Sequence, residues 1–265
     1  WLNGGLSFRA CFSDITKKIS ANKIVSNYIR DKIKRIVKDK HIAKILTDFG
    51  HPFTTKRPTL NTDYFEIFNR KNVQLVDLKT NPIIKITKKG IKTKNEELKF
   101  DKIIFATGYD ALTGPILSLN LTGRKNIKLK KYWKNGPKTF LGIMIPNFPN
   151  FFVISGPGSP SVLTNVPAQI EQHVEWISKF IKHLEKVGCS KVEPGIKETE
   201  NWVNQINILA NKSLFMKAKN SWYKGDNIPG KPKKFIPYPA GLPQYREICN
   251  KVQKKMYKGF NISLK

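Results

Sequence analysis

Two adjacent cations, Lys56 and Arg57, stand in a loop bounded by Pro52 and Pro58. A rigid guanidinium beside an ammonium suits an anion, either a phosphate or a negative charge that builds up during a reaction. In a basic chain the plainer reading is a solvated pair. A second constellation runs Phe152-Val153-Ile154-Ser155-Gly156-Pro157-Gly158 and opens a helix near Asn165. A strand that feeds a helix through a glycine loop aims free N–H groups and the positive end of the helix dipole at negative charge. The spacing G-x-G-x-x-S lacks the third glycine of a dinucleotide fingerprint, so a tight structural turn explains it about as well.

Two further stretches carry possible ligand contacts. Phe105-Ala106-Thr107-Gly108-Tyr109-Asp110 ends an apolar run in small residues, which lets a backbone pass close to a ligand or to another strand. Ser221-Trp222-Tyr223, followed by Gly225, Asn227, Pro229 and Gly230, places an aromatic pair in a glycine-bounded loop. Such a loop can close over a ligand, and a packed surface loop accounts for it equally. His51, His173 and the other two histidines have no metal-ligand spacing, and neither G-x-S-x-G nor H-E-x-x-H occurs. The sequence therefore makes no case for a hydrolase or a metalloenzyme.

The elements that must position these residues follow from periodicity. Residues 20–38 predict a helix capped by Ser20, with Val25, Ile29, Ile33 and Ile36 on one face. Residues 48–62 read as loop, followed by a short helix at Tyr64–Asn69. Asn72–Leu78 predicts a strand buried on both faces. Ile83–Thr87, Gly90–Thr93 and Glu97–Lys99 predict a meander leading into a buried strand over 102–108. Residues 110–147 read as irregular and Asn150–Ser155 as a strand. Helices are predicted over 165–187, over 196–211 with Trp202, Val203, Ile206 and Leu209 on one face, and over Gln244–Tyr257. A long loop fills 220–245. The succession predicts an α/β arrangement of the kind built around nucleotides.

Bulk properties set the outer bounds. The chain has 265 residues, 40% of them hydrophobic, enough for one or two domains with real cores. Its net charge of +29 raises a nucleic-acid reading, yet lysine dominates, arginine is scarce and the charge is spread along the chain. A lysine-coated surface is the expectation, with no nucleic-acid partner. Cys11, Cys189 and Cys249 are too few and too scattered for a disulfide framework or a zinc site, which points to reduced thiols and a cytoplasmic setting. The opening Trp1-Leu2-Asn3-Gly4-Gly5 does not read as a signal peptide, and no apolar run approaches a membrane span. A start on Trp1 rather than methionine is what a truncated or processed chain would show.

Taken in order, the motifs closely resemble the Baeyer–Villiger monooxygenases of the cyclohexanone and phenylacetone type. The resemblance runs through Lys56-Arg57-Pro58, Asp63-Tyr64-Phe65-Glu66, Asn69-Arg70-Lys71-Asn72-Val73, and Phe105 to Gly114. It continues through Gly136-Pro137, Phe140-Leu141-Gly142 and Phe148-Pro149-Asn150-Phe151-Phe152. Gly156-Pro157-Gly158-Ser159-Pro160-Ser161, Ile170 to Trp176, Ser221-Trp222-Tyr223 and Asn227 to Pro232 complete it.

The resemblance implies a two-dinucleotide-binding-domain flavoprotein fold using FAD and NADPH. It implies that residues 1–110 form the end of an NADP domain with a helical insertion, and 111–265 the end of an FAD domain with a mobile loop at 220–245. It gives Arg57 the role of stabilising an anionic C4a-peroxyflavin, while an oxygen atom from O2 is inserted beside a ketone carbonyl. Lys56 is implied to contact the NADPH 2′-phosphate, Val166 the flavin pyrimidine edge, and Trp222 the NADP. Thr107, Gly108 and Asn165 are implied cofactor contacts, and Ser161, Val162 and Leu163 shape the substrate pocket. Pro167 removes one donor beside Val166. The family's two G-x-G-x-x-G loops, its F-x-G-x-x-x-H-x-x-x-[WFY] fingerprint and the acid that partners the arginine would all precede Trp1, so the chain is expected to be a fragment that binds FAD poorly. An N- or S-oxidising flavin monooxygenase and a non-catalytic polyanion-binding module are the alternatives.

Overall fold

The computed structural model describes residues 12–264. The opening Trp1–Gly5 and Cys11 lie outside the described residues. The chain divides into two compact units. Among the described residues, one comprises 12–15, Ile19–Phe53 and Pro58–Tyr109; the other comprises Thr16–Lys18, Thr54–Arg57 and 110–264.

In the first unit, α1 (Ile19–Ile36) and α2 (Lys40–Thr47) form a helical pair, and a 3-10 turn follows at Glu66–Asn69. Ile33, Val37 and Ala43 are buried, with Ile29, Ile42, Leu46, Phe49, Phe65 and Phe68 packed around them. Ser20 is not the cap expected of it, because α1 begins at Ile19 and Ser20 sits inside the first turn. The C-terminal end of α1 is closed by Asn69, whose amide donates to the Ile36 carbonyl (2.9 Å) and accepts from the Lys38 N–H (2.9 Å). Helix α2 was not expected. It carries a plain start signal in Asp39, whose carboxylate accepts from the His41 and Ile42 N–H groups. Asn22 fixes the loop after α2 by a two-way bond with Phe53, its side chain donating to the carbonyl (2.8 Å) and accepting from the N–H (3.0 Å).

The predicted meander forms as an antiparallel sheet of β1 (Ile83–Thr87), β2 (Gly90–Thr93) and β3 (Glu97–Lys99) in sequence order. Gly90 lets β2 and β3 pair closely, because a side chain there would run into the Leu98 carbonyl oxygen.

Two predicted strands of this unit do not form. Residues 72–78 are turn and coil, and 102–108 pair with nothing among the described residues. Ile104 is 92% exposed and Phe105 64%, against the expected burial. A strand needs neighbours that take up its N–H and C=O groups, and apolar composition cannot supply them.

The second unit holds the larger core. Short helices α3 (Gly114–Ser118) and α4 (Leu129–Tyr132) interrupt the region expected to be irregular. Then come α5 (Val166–Lys186), β4 (Cys189–Pro194), α6 (Ile196–Asn211), α7 (Leu242–Lys254) and β5 (Phe260–Leu264). Strand β5 pairs antiparallel with β4, a ladder the sequence reading missed. Residues 150–155 form only the isolated bridge Met144↔Phe152 instead of the expected strand. Asn150 stands in for a strand at the edge of β4, donating to and accepting from Val192 at 2.9 Å each way.

The core is aromatic. Phe180 is fully buried on α5, stacked on Tyr257 at 4.2 Å, with Trp176 and Phe260 at 5.3 and 4.8 Å. Aromatic side chains bury large areas and add edge and stacking terms, so this cluster carries much of the unit's stability. Among the described residues no helix is long and apolar enough to cross a membrane, and no cluster of three or more potential ligands could hold a metal.

Replacing Phe180 by Ala should cost about 3–5 kcal/mol. Denaturant midpoints of the two proteins check this, and a loss under about 1 kcal/mol would show that the cluster is loosely packed.

Candidate functional site

Arg57 is the long-range contact that gathers the site. Residues Thr54–Arg57 belong to the second unit although the chain on both sides of them belongs to the first. Thr54 and Thr55 are buried, Lys56 is half-buried and Arg57 is exposed, so two plugged threonines hold the cations at the surface. Thr54 adopts φ 68°, a conformation that β-branched residues rarely take and that the surrounding packing must enforce.

One terminal nitrogen of Arg57 donates to the Val162 carbonyl and also reaches the Thr164 carbonyl at 3.4 Å. Its remaining donors have no partner among the described residues and are free for a ligand.

Those carbonyls stand immediately before α5. Ser161–Leu163 forms a 3-10 turn, with Ser161 buried at φ 46° and Val162 and Leu163 packed on the core. Asn165 is the N-cap of α5, its side chain accepting from the Ala168 N–H at 3.3 Å. The Gln169 N–H goes to the Asn165 carbonyl (3.1 Å), and Pro167 has no N–H. The Val166 N–H is thus the donor of this turn that no described group satisfies. Guanidinium, helix start and free N–H together make a patch of positive potential.

The glycine loop behind this patch is rigid. Gly142 packs so closely that a Cβ would meet the Ser159 N–H nitrogen at 2.6 Å. His173 ties the loop to α5: the Ser155 N–H donates to its Nδ1 (3.2 Å), and its Nε2 lies 2.7 Å from the Tyr245 hydroxyl, which donates to the Leu141 carbonyl. Burial lowers the His173 pKa to about 4, against a smaller opposing effect of the Val153 carbonyl. Burial also raises the Cys249 thiol to about 12, so that cysteine is an inert core residue.

Trp222 is half-buried and lies edge-on to the buried Tyr223 at 4.8 Å, with both against the main core. The segment 220–241 is a loop, as expected, and has firm anchors. Phe235, Ile236 and Tyr238 are buried, Lys224 and Asp226 form an ion pair at 3.0 Å with both side chains about a tenth exposed, and Lys231 pairs with Asp110. The sequence gives no local sign of the Lys231–Asp110 pair, since its partners are 121 residues apart in the chain.

Six of the predicted site residues besides Arg57, namely Lys56, Ser161, Val162, Leu163, Asn165 and Val166, share this unit with it, as does Trp222. Thr107 and Gly108 belong to the first unit. Both are exposed, and Gly108 has φ 86° with open space where a side chain would stand.

The fold matches one class of known protein. The chain superposes on the closed crystal structure of cyclohexanone monooxygenase with a TM-score of 0.94 at 36% identity, covering 100% of this chain and 50% of that one. It superposes on OTEMO in complex with FAD and NADP with a TM-score of 0.91 at 32% identity, covering 95% of this chain and 46% of that one. Along its length the chain is homologous to the Baeyer–Villiger flavin monooxygenases. It is 38% identical to cyclohexanone 1,2-monooxygenase of Acinetobacter sp over all of this chain and 48% of that protein. It is 40% identical to a Baeyer–Villiger monooxygenase of Pseudooceanicola batsensis over 96% of this chain and 46% of that protein. No family model matches. The chain spans about half the length of the curated relatives it matches.

Two outcomes are expected. His173 binds its proton with a pKa of about 4 when folded and 6.5 when unfolded. The unfolded state therefore holds more protons between those values, and stability should rise with pH across that window, by about 3 kcal/mol in all. Denaturant midpoints from pH 4 to 7.5 should show this slope, and His173→Gln should remove it. Lys231→Ala should speed amide exchange across 221–236 while leaving α5 unchanged; equal protection in both proteins would mean the Lys231–Asp110 pair does not hold the loop.

Proposed function

We propose that this chain is the cofactor- and substrate-facing part of an NADPH-dependent flavin monooxygenase that converts a ketone to an ester or lactone. The observation that carries the reading is Arg57, fixed by the carbonyls of Val162 and Thr164 directly ahead of the start of α5. The resemblance to enzymes of this chemistry along the whole chain supports it.

The residues present fit a flavin ring and a nicotinamide cofactor. The free Val166 N–H suits a carbonyl on a flavin pyrimidine edge, and the α5 dipole with Arg57 favours the ring in an anionic form. Two buried hydroxyls beside the proposed contacts, Thr54 Oγ1 and Ser221 Oγ, have no partner among the described residues. Leaving such a group unsatisfied costs about 1–3 kcal/mol, which a polar ligand atom would recover.

Bound FAD, reduced by NADPH, would supply electrons to O2. Arg57 would hold negative charge in place, its orientation set by the two carbonyls so that little reorganisation is needed during reaction. Lys56 would bind the NADPH 2′-phosphate as a point charge. Trp222 would cover the nicotinamide cofactor, with Thr107, Gly108 and Asn165 as further cofactor contacts. Ser161, Val162 and Leu163 would form one wall of the ketone pocket and exclude water from it. In this reading the first unit is the end of an NADP domain and the second the end of an FAD domain. The ketone, O2 and the two cofactors are the partners, and oxidation at nitrogen or sulfur is the second reading. It is favoured by a phenazine N-monooxygenase of Lysobacter antibioticus, 36% identical over 97% of this chain and 47% of that protein.

The test compares Arg57→Ala and Arg57→Lys with the parent in the full-length protein, measuring NADPH consumption and ester formation from cyclic ketones. Both variants should lose ester formation by about 10²–10³-fold, because a lysine has no rigid fork to bridge two carbonyls and still face a ligand. Ester formation by Arg57→Ala at the parent rate would overturn the assignment. Oxidation of amines or sulfides without any ester would favour the second reading.

A further inference from the structure

The second unit carries a concavity lined by the Pro157–Gly158 backbone and by residues of α6 and of the segment 234–236. It has a volume of about 200 Å³, smaller than the roughly 300–1,000 Å³ that drug-sized ligands occupy. Its floor is apolar, made by Pro137, Pro157, Val203, Ile206 and Phe235.

The backbone groups that could have made this floor polar are already engaged. Thr139 Oγ1 donates to the Pro157 carbonyl, Trp202 Nε1 donates to the Gly158 carbonyl (3.1 Å), and the Gly158 N–H donates to the Ile236 carbonyl (2.8 Å). Polar character is left to the side chains of Asn135, Lys138, Asn207 and Lys234, which also line the cleft.

The charge of the lining is one-sided: it holds two lysines and no acidic residue. Lys138 has a loose partner in Glu200 at 3.7 Å, with both side chains well exposed. Lys234 has no ion-pair partner among the described residues. Its stem lies across Gly136, where an added Cβ would come within 2.9 Å of the Lys234 Cγ, so the missing side chain at 136 makes room for it.

Apolar lining whose neighbouring backbone carbonyls are already hydrogen-bonded, with an unpaired lysine among the lining residues, selects one ligand chemistry: a short apolar body with an anionic head. We propose that this cleft binds a small amphipathic carboxylate and that its occupancy stiffens the segment carrying Trp222.

The second half of the proposal follows from connectivity. Lys234, Phe235 and Ile236 line the cleft and also belong to the loop that holds Trp222. The Ile236 N–H donates to the Tyr223 carbonyl (2.8 Å) and the Lys234 N–H to the Lys224 carbonyl (3.0 Å), so 234–236 lies along 223–224 as a short backbone tie. The Gly158 N–H bonds the same segment from the other side. A ligand lodged against Pro157, Val203 and Phe235 would close this tie onto α6. This goes beyond the proposed monooxygenase reading and does not depend on it.

The test is calorimetric titration of the full chain with octanoate, octanol and octylammonium, joined to amide exchange with and without octanoate. Octanoate should bind saturably and more weakly as salt is raised. Octanol and octylammonium should bind much more weakly. Lys234→Glu should reduce octanoate affinity roughly fivefold or more, and Val203→Phe should reduce it by filling the floor. Bound octanoate should slow exchange at the Gly158 and Ile236 amides. Lys234→Glu is a surface change, so the test does not depend on a core variant folding. Absence of saturable binding, equal binding of all three probes, or octanoate binding untouched by Lys234→Glu would each overturn the site. Binding that leaves Gly158 and Ile236 exchange unchanged would overturn the stiffening.

Discussion

The site depends on a single closure: a guanidinium at position 57 held by backbone carbonyls more than a hundred residues further along, at 162 and 164. Those carbonyls lie in the turn before α5, where the chain cannot satisfy them by helix formation. Arg57 takes them up with one nitrogen and keeps the rest of its fork available. The contact places a permanent cation at the positive end of a 21-residue helix. Like charge is thereby concentrated at one spot, a costly arrangement unless an anion shares it. Buried Thr54 and Thr55 supply the holding force, one of them in a left-handed conformation that the packing enforces.

Rigidity behind the patch comes from a different source. The glycine loop 156–158 is clamped on three sides: by Gly142, which admits no side chain, by the His173–Tyr245–Leu141 relay, and by Trp202 and Thr139, which take up its carbonyls. A histidine with its pKa lowered to about 4 stays neutral across the ordinary working range, so this relay is structural and does not titrate there. His173 of α5 and Trp202 of α6 bond to this loop, and the Gly158 N–H ties it to Ile236 in the segment 220–241, which has buried aromatic anchors. The surface in front of this loop is therefore positioned and positively polarised.

Much of this was legible in the sequence. The meander 83–99, the helices 165–187 and 196–211, and the terminal helix stand within a few residues of where periodicity and glycine positions put them, because those signals are local. The ordered motifs carried the family resemblance, and with it the residues around 57, 161–166 and 222. Strands were read less well. Residues 72–78, 102–108 and 150–155 have the composition of buried strands, but a strand is defined by a partner, and composition does not name one. The β4–β5 ladder was missed for the same reason in reverse, since Cys189–Pro194 finds its partner some 70 residues away at Phe260–Leu264.

The sequence by itself determined the helices, the turns and the chemical types available at the site, since each depends on neighbours a few residues apart. Tertiary structure alone decided which of them meet. It brought Arg57 to 162–164, Lys231 to Asp110 and Lys234 across Gly136, and it left Ile104 and Phe105 exposed. Such pairings are set by packing and by the need to satisfy backbone groups across long stretches of chain, and no local pattern encodes the partner.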